Sequence, residues 1–383
     1  METSAKNQYL VCLPDVSEPL PLAEAAVSRP YALDYNLPYF QRIFERMEAE
    51  LGAAGLTCYL TRNVSELPSY GPDVVAVLLG DEWCRAPLYA DRIRAVFKCY
   101  GNSPAFGVYL SDGVSWLDCM TVIQHFRILL KRTPGLLRLW RARLKGMDLE
   151  KRMFEIPLGY YRQAELPVKP MKERACDVFF AGSIVDNRTT YPVWSIRHWL
   201  ETPKNISRRL MVEELTGIRQ RNQCSIVLKL TGGFPHEDKD TAEAAADSYS
   251  HQMMDMRVCV APRGTSFETF RFFEGLRYGC VVITEALPSR WFYDGAPVIR
   301  IKRWHELEPV LNSLLTDPKR VHELHQASLR WWDERCSESA VGRYMAERLI
   351  SLANKDGLRS RIEPSRATLL KSANRGDLTT GGL

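Results

Sequence analysis

No run in the chain reaches the ~18 apolar residues that a membrane helix needs, so a spanning helix is not expected. Residues 1–7 are polar and lead into the short apolar run 9–13, without the basic flank and longer apolar stretch of a secretory leader. Paired cysteines are also missing. The ten cysteines stand as singles, no CxxC occurs, and no His/Cys spacing suits a structural zinc ion. Several lie inside apolar runs, where a free thiol behaves as a small hydrophobe, so a reduced, cytoplasmic chain without metal is expected. No GxGxxG follows the first apolar run. Cys12, Leu13, Pro14 and Asp15 stand there instead, which speaks against a nicotinamide dehydrogenase. No repeat recurs at a fixed period.

What is present is ordinary for a folded globular protein: 45% hydrophobic and 25% charged residues over 383 positions. That length suits two domains of roughly 150–200 residues, and two cores imply a cleft between them. The net charge of +5 is unevenly spread. Residues 127–152 carry nine Lys/Arg against Asp148 and Glu150, a local +7 that leaves about −2 for the remainder. One basic segment in an otherwise acidic chain does not describe a nucleic-acid binder.

Short apolar runs alternate with helix-period segments, the pattern of parallel sheets covered on both faces. In the first half, strands are expected at 9–13, 56–60, 74–79 and 105–110. A helix over 38–54 puts Phe40, Ile43, Phe44, Met47 and Leu51 on one stripe and ends at Gly55. Residues 154–160, with Pro167 and Pro170 beyond, read as a crossing strand or linker. A second series follows, with strands at 177–181, 225–230, 258–261 and 280–284 and helices near 207–216, 241–254, 266–278, 318–332 and 339–352. The reading is α/β with two Rossmann-like doubly wound domains facing a cleft. The first, 1–155, is the acceptor side. A linker at 156–172, a nucleotide-binding domain at 173–354 and a polar tail at 355–383 complete it.

Residues 257–284 hold the chemistry: strand, Pro262-Arg263-Gly264 loop, helix, strand. The loop and first helical turn therefore lie at the carboxyl end of a parallel strand, where open α/β sheets bind ligands and where helix N–H groups suit a diphosphate. At 100° per residue, Arg271 is about 60° from both Glu274 and Glu268, so the three charges share a helix face. Arg271 and Arg263 would balance phosphate charge and Glu274 would accept from ribose hydroxyls. The alternative is a structural Arg271–Glu274 pair on a solvated face.

Cys259, Pro262-Arg263-Gly264, Arg271, Glu274 and Gly279-Cys280, with Tyr249 and Met253-Met254 upstream, resemble the exostosin family of glycosyltransferases across roughly 176–350. The resemblance implies a glycosyltransferase-B architecture and a nucleotide-sugar donor held mainly by the C-terminal domain. It also implies inversion at the anomeric carbon with no cofactor or metal. The membrane anchor of many eukaryotic members is missing, which suits a cytosolic, bacterial relative making extracellular or capsular polysaccharide. Phe267-Glu268-Thr269-Phe270 departs from the family pattern and leaves the donor sugar open. Thr265 and Ser266 complete the donor loop with Gly264. The family has a similar strand, Gly and later Arg at 178–188, so Gly182, Ser183 and Arg188 are donor-binding candidates. The loop Thr231-Gly232-Gly233 on the same edge reads as a simple turn.

An inverting base is expected from the acceptor side. The strand at 74–79 delivers Asp81 and Glu82 at its carboxyl end, with Asp112 and Asp34 as rivals. His125, His236 and His251 read as packing or surface histidines. Residues 127–152 interleave Leu129, Leu130, Leu136, Leu137, Leu139 and Trp140 with the basic residues. Such a segment either rests on anionic lipid, near a lipid-linked glycan acceptor, or packs its leucines on the N-terminal core. The expected activity is sugar transfer from a nucleotide-sugar to a carbohydrate or lipid-linked acceptor. The alternative is an inactive carbohydrate- or nucleotide-binding module of the same fold.

Overall fold

The computed structural model describes residues 6–28, 36–108, 113–161, 163–184, 191–195, 201–221, 224–231 and 239–355. Asp34, Asp112, Arg188, Gly232, Gly233 and His236 lie outside these.

The first sheet contains β1 (Gln8–Val11), β2 (Leu20–Pro21), β3 (Thr57–Thr61), β4 (Gly71–Leu78), β5 (Ile93–Lys98) and β6 (Met153–Glu155), in the order β2-β1-β3-β4-β5-β6. All neighbours are parallel except β1 and β2. On one face lie α1 (Leu22–Ser28) and α2 (Leu37–Leu51), the latter burying its stripe Phe40, Ile43, Phe44, Met47 and Leu51. α2 stops earlier than its pattern suggests. Gly52 adopts φ 71°, a left-handed conformation open to glycine at little cost, and its N–H bonds Glu48 O at 2.7 Å. On the other face, the short connections after β3 and β4 pack Val64, Leu67, Ala86 and Tyr89 against the sheet.

Residues 105–108 form no strand; the strand that completes this sheet is β5. Its sequence IRAVFK places Arg94 and Lys98 inside a fully buried run, which masks it as a strand in the sequence. The crossing segment contributes its first two residues, Phe154 and Glu155, to the sheet, which with Met153 form β6.

The second sheet contains β7 (Cys176–Ser183), β8 (Ile226–Thr231), β9 (Met256–Ala261), β10 (Val281–Thr284) and β11 (Ile299–Arg300), all parallel, in the order β11-β10-β9-β7-β8. The order reverses between β7 and β9. That reversal leaves a crevice at the carboxyl ends of the two strands, because their following connections leave on opposite faces. Helices α4 (Pro203–Gln220), α5 (Lys239–Met254), α6 (Phe270–Arg277), α7 (Leu307–Leu315) and α8 (Pro318–Trp331) surround the sheet.

Two helices tie the units together. α3 (Trp116–Leu144) sends Leu117 and Met120 onto Ile206 of α4 with its first half. With its second half it buries Gly135 against Ala86 and Ala142 against the first sheet. α9 (Glu338–Lys355) follows a π-helical turn at Trp332–Cys336 and returns to pack on α2. One apolar cluster therefore runs from Ile43, Phe44 and Phe97 through Val341, Met345 and Leu349 to Phe272, Phe273 and Tyr293 of the second unit. Tyr39 OH donates to Cys336 O at 2.6 Å across that junction.

Candidate active site

The switch point between β7 and β9 gathers two arginines. Arg271, in the first turn of α6, crosses the end of β7, donates to Ala181 O and lies over the Phe180 ring. Gly182 makes this crossing possible, since a Cβ there would collide with the Arg271 guanidinium. Arg208 comes from the second turn of α4 and donates to Ser183 O at 2.9 Å and towards Ser183 Oγ at 3.4 Å. Neither side chain pairs with a carboxylate among the described residues, and both Nε atoms are buried without a hydrogen-bond partner. Burial, then the charge of Arg271, pushes Arg208 down to about 9, while Glu82 and Glu285 pull the other way. Arg208 is buried and Arg271 half-buried, and with neither in ion-pair contact with a carboxylate among the described residues, the pair suits an anion.

Three residues along, Glu274 is buried. Its Oε1 accepts from Tyr161 N at 3.1 Å and its Oε2 from Tyr249 OH at 2.7 Å. Burial raises its carboxyl above the usual range, against the pull of the Tyr249 hydroxyl and Arg271. A carboxylate has about four acceptor positions, so capacity remains for a ligand hydroxyl.

Glu268 leaves the shared face that the 100° count gave it. α6 starts only at Phe270, because Phe267 takes φ 69° and Thr269, in extended geometry, caps the helix by accepting from Arg271 N at 3.1 Å. Glu268 therefore precedes the helix and turns the opposite way, pairing with Arg290 and accepting from Tyr293 OH at 3.1 Å. Arg290 carries on into the first unit, donating to Tyr100 O at 2.7 Å.

Arg263 is likewise separated from Arg271. Its guanidinium stacks on Phe267 at 3.6 Å and donates to Thr121 Oγ1 of α3 at 3.0 Å, and its N–H bonds Glu285 at 2.8 Å. It thus joins the loop 262–266 to α3 rather than facing the two-arginine site. Gly264 sits close under Glu268 O, Thr265 O accepts from Gln124 Nε2, and Ser266 Oγ is buried without a partner.

Opposite, between the two sheets, lies a cavity of ≈ 420 Å³ walled by Gly80, Glu82, Trp83 and Tyr100 from the first unit and by Lys204 and Phe270 from the second. The adjacent acids Asp81 and Glu82 have different fates. Asp81 is buried and saturated: it accepts from Arg85 N at 2.6 Å and Arg85 Nε at 2.7 Å, and lies 2.9 Å from Lys98 Nζ. Glu82 is half-buried on the cavity wall, and its side chain makes no hydrogen bond or ion pair with the described residues. Gly80, with φ 67°, provides the turn that sends successive side chains to these two places.

Arg208 was not among the residues that the sequence singled out. Its only signal is its place in the first turns of a helix following a strand end, within the run Ser207-Arg208-Arg209. Arg209 in the same run pairs with Glu201 and Glu213, which no local pattern tells apart.

No family model and no curated protein matches the chain. Solved structures do match. Sucrose-phosphate synthase from Thermosynechococcus elongatus is 12% identical over 91% of this chain and 100% of its own, with a TM-score of 0.43. WaaG, a glycosyltransferase involved in lipopolysaccharide biosynthesis, is 14% identical over 82% of this chain and 95% of its own, with a TM-score of 0.38. AviGT4, a glycosyltransferase involved in avilamycin A biosynthesis, is 10% identical over 92% of this chain and 98% of its own, at 0.38. Likeness at this level leaves the functional reading to the residues of the site.

Proposed function

We propose that the protein is a glycosyltransferase that takes a nucleotide-sugar at the β7/β9 switch point and transfers the sugar to a glycan held in the cavity. The observation that carries this reading is the Arg208–Arg271 pair, the first buried and the second half-buried, without an ion-paired carboxylate among the described residues, at the carboxyl edge of a parallel sheet. A diphosphate supplies the charge the pair lacks, and each arginine gives it charge-assisted hydrogen bonds. Glu274 receives the ribose hydroxyls. The resemblance of the segment 257–284 to exostosins supports the same assignment for Arg271 and Glu274.

Glu82 is the base. It takes the proton of the acceptor hydroxyl as the oxygen bonds the anomeric carbon and the carbon–phosphate-oxygen bond breaks, which inverts that carbon. Arg208 and Arg271 stabilise the charge that builds on the departing diphosphate. Asp81 is fully occupied by Arg85 and Lys98, so it holds the wall rather than the proton.

Titration calorimetry with nucleoside diphosphates tests the carrying observation. Arg208→Ala and Arg271→Ala should each weaken the best-binding nucleotide by at least about tenfold, since a hydrogen bond to a charged group contributes roughly 1.5–3 kcal/mol. Unchanged affinity in a folded Arg208→Ala variant overturns the assignment. Slow hydrolysis of a nucleotide-sugar by the purified protein separates a transferase from a binding module.

A further inference from the structure

Helix α3 has an outward face that the fold leaves uncovered. Counting 100° per residue, its buried line of Leu117, Gln124, Ile128, Gly135 and Ala142 faces the two units. On the opposite side, Val122, Phe126, Leu130, Leu137, Trp140 and Leu144 fall within an arc of about 80°. These side chains are exposed: Phe126 at 62%, Leu130 at 59%, Trp140 at 59% and Leu144 at 69%. A run of large apolar side chains along a helix of 29 residues is not a scatter of single exposed hydrophobes.

Charge borders this strip on both sides. Arg127, Arg141 and Lys145 at the C-cap lie along one flank and Arg143 along the other, all exposed. The helix contains one acidic residue, Asp118, which is buried against Arg303. Arg138 does not contribute, because it pairs with Asp91 at 2.8 Å, nor does Lys151, which pairs with Asp148 at 2.9 Å. Apolar side chains in the middle with cations on both margins match the surface of an anionic bilayer. The strip enters the acyl boundary while the long basic side chains reach the headgroups.

We propose that α3 docks the protein on anionic membrane through this strip, without crossing it. The docking face is α3 itself, not the whole basic stretch 127–152, since the cations beyond residue 145 lie outside the strip. Its position gives the contact a use. Lys131, on the side of α3 away from the strip, stacks on Trp83 at 4.0 Å, and Trp83 walls the cavity, so docking would hold the cavity one helix away from the bilayer surface. Membrane binding is measured without turnover and stands apart from the reading of the protein as a transferase.

Co-sedimentation of the full chain with phosphatidylcholine vesicles, with and without phosphatidylglycerol, tests the proposal. Binding is expected only with phosphatidylglycerol. It should fall strongly from ~0.1 M to ~1 M salt, as the screening length shortens from about 10 to about 3 Å. The triple change Arg127→Gln, Arg141→Gln, Lys145→Gln should lower partition on the order of a hundredfold, about fivefold per cation. Trp140→Glu with Leu144→Glu should remove it at either salt, while Lys319→Gln, on exposed α8, leaves it unchanged. Equal binding to both vesicle types, retention of binding by the triple variant, or no binding to either vesicle overturns the proposal. The last result would turn the strip into a protein-binding surface.

Discussion

Replacing Asp81 with Asn separates a structural acid from a catalytic one. The Lys98 ammonium is buried, donates to Arg85 O at 2.6 Å and lies 2.9 Å from Asp81 Oδ2. Asn in place of Asp keeps the shape but leaves Lys98 without a counter-charge. Breaking one half of a buried pair costs about 3–5 kcal/mol, and for a unit of this size that lowers the melting temperature by roughly 6–20 °C. The pH dependence has a definite sign. Burial lowers the Lys98 pKa below its ordinary 10.5, and Asp81 opposes that shift. Without Asp81 the native state releases the proton earlier still. Between that native pKa and 10.5 the unfolded chain then binds more protons, so stability rises with pH. The variant should therefore regain stability as pH rises towards 10.5 more steeply than the parent protein. Removing the lysine as well, with Lys98→Met, should recover most of the loss. Thermal unfolding across that pH range, alongside nucleotide binding, provides the readout. An Asp81→Asn protein that melts like the parent at pH 7 and has lost turnover would refute this reasoning and make Asp81 the base.

Glu82→Gln should do the reverse, lowering turnover by about 10²–10⁴ with nucleotide affinity and melting temperature nearly intact; near-normal turnover would remove Glu82 from the base role. The link between α3 and the second unit is sensitive to acid. Burial works to raise the Asp118 carboxyl, but hydrogen bonds from Arg303 and Ser115 outweigh it and hold it at about 2. With the folded value depressed, the stability from this contact is complete above the ordinary 3.8 and is lost as pH falls through about 2. Melting curves of the parent and Asp118→Asn should therefore converge on acidification; a gap that stays constant would show that the carboxylate charge contributes nothing.

How much of the site is legible in the sequence depends on how local each interaction is. Arg271 and Glu274 could be singled out because they belong to one strand–loop–helix segment, where spacing fixes position, and Gly182, at the strand end beside it, through the family resemblance. Arg208 could not. It reaches the same place from a helix about sixty residues earlier, and only the parallel pairing of β7 with β9 brings Ser183 and Arg271 to its side. Asp81 and Glu82 are indistinguishable as neighbours in sequence. Their difference comes from Lys98, on a strand whose two cations hid it among polar segments. For Arg263 the spacing gave the loop, but its partner Thr121 lies on α3, far away along the chain.

The sequence by itself determined the parallel α/β character, the two sheets and the segment that carries the strand-to-helix loop. Apolar periodicity and backbone-breaking residues act over a few positions and need no distant partner. Only the tertiary structure decided which charges are paired. It buries Asp81 with Lys98 and turns Glu268 towards Arg290, while Arg208 and Arg271 meet without an acid. It also decided the fate of α3. The amphipathic pattern allowed the leucines to lie in the core or outside it. Packing the small residues Gly135 and Ala142 against the body turns the opposite face, with Phe126, Leu130, Trp140 and Leu144, to the solvent. A helix has one face to bury, and here the close approach at Gly135 fixes which one.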